Sequence, residues 1–434
     1  MVTVAPATEP PAAPARARGW PARTVLLLAI AGTTLSIAVW LLLLRPNWDV
    51  YWHQIDLQVY MWGGKAAALH PEQLYTERGP LYLPFLYPVF AAWICAELAR
   101  FPITEVGTGA TIITLFALYA SVWCSGRLLR FKNSPGLLAA TLAIGSVALW
   151  LEPVQQTFRF GQVSIILMAM VLADLAIPQG RWYRGILLGI ATGIKLTPAV
   201  FIVYLLITRR FKAAGVATAA FAVTVAIGFW YRPAQQWQFW TTAVAQQNRI
   251  GFAYVQNQSL NGVFGRLQWT TWTDHLPWLI GAGVLGLIGM AAARVAQQRG
   301  DEMLGIVLAA GVTLLVSPVS WTHYWVWVIP AVMWAVLALR NQVLRVALPV
   351  AVLLLMFAYP MQVDAIGSWD TDLPLVPQGL IWFVPQTMGR EFDWTALQFL
   401  VGNSYTLIGL AAVLIGSLAV LRPNAPGPSA RIGR

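Results

Sequence analysis

Apolar blocks recur along this chain, many of about 18 to 25 residues and so long enough to cross a hydrocarbon core of about 30 Å as a helix. The first block is Thr24–Leu44. Others occupy 107–127, 136–150, 162–178, 185–207, 211–230, 276–298, 303–318, 323–339, 343–360 and 404–422. Lipid offers the backbone no hydrogen-bond partners, and the blocks lack the period-two alternation of a barrel strand, so they predict an all-α, polytopic transmembrane bundle. Between them, 45–83, 231–275 and 361–403 are long and polar, the last two rich in Trp, Gln and Asn. Pro84–Leu98 is apolar but short, interrupted by prolines, and carries Glu97.

Composition excludes a water-soluble domain. The chain is 58% hydrophobic and 10% charged, against about 25% charged residues in soluble domains. The net charge of +11 does not point to nucleic acid, because the basic residues form short clusters between apolar blocks. These clusters are Arg127/Arg130/Lys132, Arg181/Arg184, Arg209/Arg210/Lys212, Arg294/Arg299, Arg340/Arg345 and Arg422/Arg431/Arg434. Short basic loops face the cytoplasm. If all of these do, Pro84–Leu98 lies along or dips into the outer interface. The block 185–207 then goes out and back, broken at Lys195-Leu196-Thr197-Pro198, where proline removes a donor and restricts the residue before it.

The result is about twelve spans with both termini inside. One transmembrane domain covers 24–422, between a disordered cytoplasmic tail at 1–23 and a second tail at 423–434. The first block is too long for a signal-peptide core and lacks a small-x-small cleavage site, so it stays as a span. Cys95 and Cys124 lie in apolar stretches without metal or redox spacing and read as packing residues. Every long polar loop falls on the outer face, with 151–161 and the Ser317–His323 turn, and the chemistry is expected there.

Ionisable residues near the membrane are the candidates. Asp56, just past the first span in Ile55-Asp56-Leu57-Gln58-Val59-Tyr60, is a general base to a hydroxyl or a solvated interfacial acid. His323, opening a span among Trp321 and Trp325, is a functional imidazole or a helix-end anchor. Lys195, at the helix break, meets an anionic group such as phosphate or snorkels to the interface. Arg159 and Gln162 offer a second cation and an amide in the neighbouring loop. Asn257, Gln258, Ser259 and Asn261, with Arg266 one turn later, suit a sugar's hydroxyls, and Trp269 and Trp272 could stack on its apolar face; ordinary polar loops contain the same letters. No His/Cys/Asp cluster has metal spacing, and no GxxxxGK[ST] loop is present, which disfavours an ATP-driven pump.

Taken together, Asp56, Arg159-Phe-Gly-Gln162, Lys195-x-x-Pro198, Asn257-Gln-Ser and Ser317-Pro-x-Ser-Trp-x-His323 resemble the polytopic GT-C glycosyltransferases. More narrowly, they resemble the actinobacterial polyprenyl-phosphomannose-dependent mannosyltransferases, from Asp56 to about Pro330. Related proteins often carry two adjacent histidines in the last motif; here the second position is Tyr324.

The resemblance implies a multi-pass plasma-membrane enzyme, active on the periplasmic side, that moves mannose from polyprenyl phosphomannose to a phosphatidylinositol mannoside in α-1,2 linkage. A β-linked donor and an α-linked product mean inversion in one displacement. Asp56 would be the base and His323 its assistant, while Lys195, with Arg159 second, would hold the leaving phosphate. Tyr60, Gln162, Asn257, Gln258, Ser259, Asn261, Arg266 and Trp321 form the expected substrate-binding set. No cofactor and no metal are expected, since a cationic clamp replaces the divalent ion. The expected partners are the lipid-linked donor, the glycolipid acceptor and membrane lipids. An arabinofuranosyltransferase or a lipoglycan-branching mannosyltransferase of the same architecture remains an alternative. From another class, so does a lipid-linked sugar flippase, although no convincing internal repeat is visible.

Overall fold

Apolar blocks become helices whose ends are set by polar caps and prolines. Ser134 accepts from Leu137 N (3.2 Å) ahead of Pro135, and Asp301 accepts from Leu304 N (3.1 Å), each satisfying a donor that a helix start leaves orphaned. The computed structural model describes residues 22–44, 54–244, 251–268, 272–339, 341–362 and 376–421, without the side chains of 272–275. Residues 1–21 of the first expected tail, the whole of the second with Arg422, Trp269, the side chain of Trp272 and Arg340 therefore lie outside the described residues.

In chain order the helices are α1 (Ala22–Leu44), α2 (Ile55–Leu69), α3 (Val89–Leu98), α4 (Ile103–Leu128), α5 (Pro135–Ala148), α6 (Glu152–Phe160), α7 (Ser164–Ala176), α8 (Ile186–Ile194) and α9 (Ala199–Ile207). They continue as α10 (Phe211–Tyr231), α11 (Pro233–Gln238), α12 (Leu260–Arg266), α13 (Trp272–Gln298), α14 (Glu302–Val316), α15 (Val328–Ala338), α16 (Gln342–Leu355), α17 (Ala396–Gly402) and α18 (Ser404–Leu421). The described sheet is one antiparallel pair, β1 (Tyr359–Met361) with β2 (Val376–Gln378).

This is an all-α, multi-pass membrane protein. Among the described residues five helices, α1, α4, α10, α13 and α18, are long and apolar enough to cross alone, and a sixth span arises if α6 and α7, bent by 115°, count as one. The other expected crossings hold shorter helices. The block 343–360 gives α16, which stops at Leu355 before the chain enters β1, and 162–178 gives the 13-residue α7. The break expected at Lys195–Pro198 separates α8 from α9, and Pro84–Leu98 yields only the 10-residue α3.

Lipid tails are as apolar as leucine, so helix association relies on close packing. Gly189 of α8 lies so near α10 that a Cβ would sit 2.4 Å from Ala217 O. α1 instead turns leucines such as Leu27 and Leu42 outward, exposed by 65% and 64%. Its polar contacts inward include Trp40 Nε1 to Gln155 Oε1 (3.0 Å), the hydroxyls of Thr33 and Ser146 (2.9 Å) and Trp150 Nε1 to Ser36 Oγ (3.0 Å).

The ends of the bundle differ in charge. α4 has 26 residues, about 39 Å at 1.5 Å per residue. At its start Gly107 O accepts from Gln54 Nε2 (3.3 Å), next to α2. Beyond its other end Arg130 donates to Gly300 O (3.0 Å), in a layer where Arg210 pairs with Glu302 and Arg184 Nη2 donates to Leu175 O (3.0 Å). α8, α9, α10 and α14 each have one end beside this basic layer and lead away from it, to Lys195, Pro198, Tyr231 and Ser317 respectively.

Candidate functional site

Three breaks in regular helix converge at the end away from the basic layer. The first is the turn between α6 and α7. Gly161 takes the left-handed conformation (φ +65°), and a Cβ there would approach Leu57 Cβ to 2.7 Å. Glycine alone enters that region without penalty, so the chain reverses tightly and delivers the Gln162 side chain to α2. The second is the 195–198 break, where Lys195 is extended (φ −151°, ψ 135°) and Pro198 precedes α9. The third is the 317–323 segment. Asn257 Oδ1 accepts from Ser320 N (2.9 Å) and Gln258 N donates to Ser320 O (2.7 Å), forming a bridge that pairs Asn257 with Trp321.

These breaks, with α2 and residues 83–88, enclose a cavity of about 290 Å³. Asp56, in the first turn of α2, faces it and accepts a 2.8 Å hydrogen bond at Oδ2 from Gln162 Nε2. Burial raises the Asp56 carboxyl to about 6, against the opposing pull of the Gln162 hydrogen bond and the Lys195 charge. Burial also lowers the Lys195 ammonium to about 7, opposed by Asp56. Lys195 is half-buried, yet its Nζ is hidden from solvent and has no hydrogen-bond partner among the described residues. It lies over ring faces, with the centroid of Tyr324 at 3.8 Å and that of Tyr87 at 5.4 Å, a favourable but weakly directional environment for a cation.

His323 lines the same cavity, 2% exposed, with both ring nitrogens unpartnered among the described residues and its ring edge-on to Phe160 (5.8 Å) and Tyr324 (4.7 Å). Buried polar atoms of this kind are nearly always satisfied, so the imidazole is available to a ligand. Tyr60, Gln162 and Trp321 also line the wall, and the Tyr60 and Tyr87 hydroxyls share a 2.8 Å hydrogen bond.

The other expected site residues are not brought to this wall. Asn257 Nδ2 donates to Phe252 O (3.1 Å), Ser259 caps α12 through Gly262 N (3.1 Å), and Asn261 Nδ2 donates to Pro318 O (3.1 Å). Gln258 Nε2 donates to Val255 O (2.7 Å) and Gly402 O (2.6 Å). Arg266 Nη2 donates to Asn257 O (3.0 Å) and Asn403 Oδ1 (2.6 Å). All five side chains are buried. Their polar groups bind backbone and one another instead of facing the cavity, because a buried irregular loop must satisfy its own N–H and C=O groups. They anchor the segment that carries Trp321 and His323. Arg159 does not line the cavity either. Its guanidinium lies 6.0 Å from the Phe160 ring centroid and feels the charge of Glu152.

Sequence reasoning passed over Tyr87, Thr197, Tyr254 and Gln256, all of which line the cavity. Tyr87 lies in the apolar run before α3, where an aromatic carries no signal of its own. Among the described residues no three His, Cys, Asp or Glu side chains gather as a metal-ligand group.

Residues 85–318 match the model of glycosyltransferase family 87. Over 93% of its length the chain is 31% identical to the polyprenol-phosphate-mannose-dependent alpha-(1-2)-phosphatidylinositol mannoside mannosyltransferase of Mycobacterium tuberculosis, covering 95% of that protein. A protein of the same description from Mycolicibacterium smegmatis is 35% identical over 84% of this chain and 83% of its own. The corresponding phosphatidylinositol pentamannoside mannosyltransferase of that organism is 34% identical over 75% and 78%. No solved structure matches the chain.

Proposed function

Because this chain belongs to glycosyltransferase family 87, we propose that it is an α-1,2-mannosyltransferase that moves mannose from polyprenyl phosphomannose to a phosphatidylinositol mannoside. The observation that carries this reading is the meeting of Asp56, held by Gln162, and the unpaired ammonium of Lys195 in one cavity. Transfer from a sugar phosphodiester needs a base for the incoming hydroxyl and a positive charge for the departing phosphate.

The Asp56 carboxylate takes the proton of the acceptor 2-hydroxyl as its oxygen bonds to C1 of mannose. The C1–O bond to phosphate breaks on the opposite face, its electron pair leaving with polyprenyl phosphate. The β-linked donor thus becomes an α-linked product. Lys195 compensates the charge that grows on the phosphate, and His323 orients the acceptor through its unpartnered nitrogens. Lys195 stands where another enzyme would place a divalent ion, which supports a metal-independent reaction.

The positive-inside rule puts the basic layer of Arg130, Arg184 and Arg210 in the cytoplasm. The cavity, at the other end of α4, then opens on the periplasmic side of the plasma membrane. Paired short helices would bring the crossings to about twelve. The polar groups gather at one end, whereas a transporter concentrates them near the midplane.

The test is transfer of labelled mannose by the purified protein from polyprenyl phosphomannose to a phosphatidylinositol mannoside, with the linkage read by NMR. An α-1,2-linked mannose supports the reading. No transfer, or a β-linked product, overturns it.

A further inference from the structure

Behind Lys195 lies a second, smaller cavity of about 50 Å³ that the mechanism above leaves unused. Lys195, Thr197, Ser317 and Tyr324 line both cavities and form the partition between them. Asp56 and His323 face only the larger one, and Ser164 and Ser320 face only the smaller. Ser164 and Ser320 are 8% and 0% exposed, and among the described residues neither hydroxyl has a hydrogen-bond partner, nor has the Lys195 ammonium. Three buried donors without acceptors around one space call for an acceptor-rich ligand.

Ser164 is also the first residue of the 13-residue α7. A helix start presents N–H groups without intrahelical acceptors and favours negative charge. Away from these groups the wall is mostly apolar, with Leu167, Met168, Val171, Phe201, Leu314 and Trp327 beside Thr313, whose hydroxyl is taken up by Ala309 O (2.9 Å). A polar, cationic corner that continues into an apolar wall fits an amphiphilic anion.

We propose that this pocket takes the phosphate and first isoprenoid unit of the donor lipid, with Ser164 and Ser320 as phosphate ligands beside Lys195. The assignment rests on the donor reading above and adds the direction of the reaction. The mannose lies on the Asp56 side of the Lys195–Tyr324 partition and the phosphate lies beyond it. The scissile C1–O bond therefore crosses the partition, with the acceptor oxygen entering from the larger cavity. As the bond breaks, the phosphodiester monoanion becomes a phosphate monoester dianion, and the two serine hydroxyls donate to the oxygens that gain this charge while Asp56 carries the proton.

The test uses the full-length protein with Ser320→Ala and, as an independent variant, Ser164→Leu, which fills the pocket from its polar corner. Donor KM, acceptor KM and the affinity for a short isoprenyl monophosphate, read by tryptophan fluorescence, are measured for each. Losing one hydrogen bond to a charged ligand should raise the donor KM roughly tenfold in Ser320→Ala. Ser164→Leu should raise it further, and acceptor KM should stay as in the wild type. Isoprenyl phosphate should compete with donor and bind Ser164→Leu more weakly, while inorganic phosphate at equal concentration should not compete.

Unchanged donor KM and isoprenyl phosphate affinity in both variants, or a change confined to acceptor KM, overturns the assignment. Equal competition by inorganic phosphate overturns its lipid part. Fluorescence needs no turnover, so a protein that binds isoprenyl phosphate through these serines yet transfers no mannose overturns the proposed function and keeps the pocket.

Discussion

Gln162 holds Asp56. The amide at the end of the Gly161 turn donates to Asp56 Oδ2 at 2.8 Å and reaches the Tyr87 hydroxyl at 3.4 Å. The hydrogen bond fixes the carboxylate and favours its charged form against burial. Gln162→Ala is expected to lower kcat/KM about tenfold or more, the scale of a hydrogen bond to a charged group. It should also move the acid limb of the pH profile upward. Steady-state rates across pH check both, and an unmoved acid limb contradicts the contact's role.

The same turn predicts a backbone effect. Gly161→Ala places a methyl group against Leu57 in a conformation that disfavours any Cβ. A stability loss of about 1–2 kcal/mol is expected, together with reduced turnover because Gln162 is displaced. Thermal melting in detergent and the initial rate measure the two.

The pH dependence of kcat/KM should be bell-shaped and narrow. As the proposed base, Asp56 accepts a proton only when ionised, so activity should rise with pH through about 6. In its proposed role Lys195 stabilises phosphate only when protonated, so activity should fall as pH rises through about 7. Guanidinium stays charged throughout, so Lys195→Arg should erase the alkaline limb even where it lowers the rate. A profile whose alkaline limb survives that change assigns the limb elsewhere.

Much of this site was legible because membranes make ionisable groups conspicuous. Asp56, Lys195 and His323 stood out against an apolar background, and they do line one cavity. The helix break at Pro198 followed from proline chemistry. Asn257, Gln258, Ser259, Asn261 and Arg266 were harder to read, because the letters that suit a sugar's hydroxyls also satisfy a buried loop's backbone, and here they bind Pro318, Gly402 and Asn403. Tyr87 was invisible for the opposite reason, being one aromatic among many. Helix lengths were overread where apolar blocks such as 343–360 end in turns and strand.

Arg266→Ala should therefore act on stability. The guanidinium serves Ala253 O, Tyr254 O, Asn257 O and Asn403 Oδ1, and its removal leaves buried acceptors unpaired at a cost of roughly 2–4 kcal/mol. A lower melting temperature with substrate KM values unchanged in the surviving fold is expected. A large acceptor KM change at full stability would give Arg266 a direct substrate role.

Metal removal should do nothing to turnover if, as proposed, Lys195 supplies the positive charge at the phosphate. Activity after exhaustive chelation checks this, and loss that magnesium or manganese restores would contradict it.

The most direct measurement compares wild type with Asp56→Asn in mannosyl transfer at pH 6.5 to 7, with melting temperature and isoprenyl phosphate affinity recorded on the same preparations. The amide keeps the side chain's shape but cannot accept the proton. Turnover should fall about 10²–10⁴-fold while melting and lipid binding stay at wild-type values. Near wild-type turnover in a normally folded Asp56→Asn protein would contradict the assignment of Asp56 as the base.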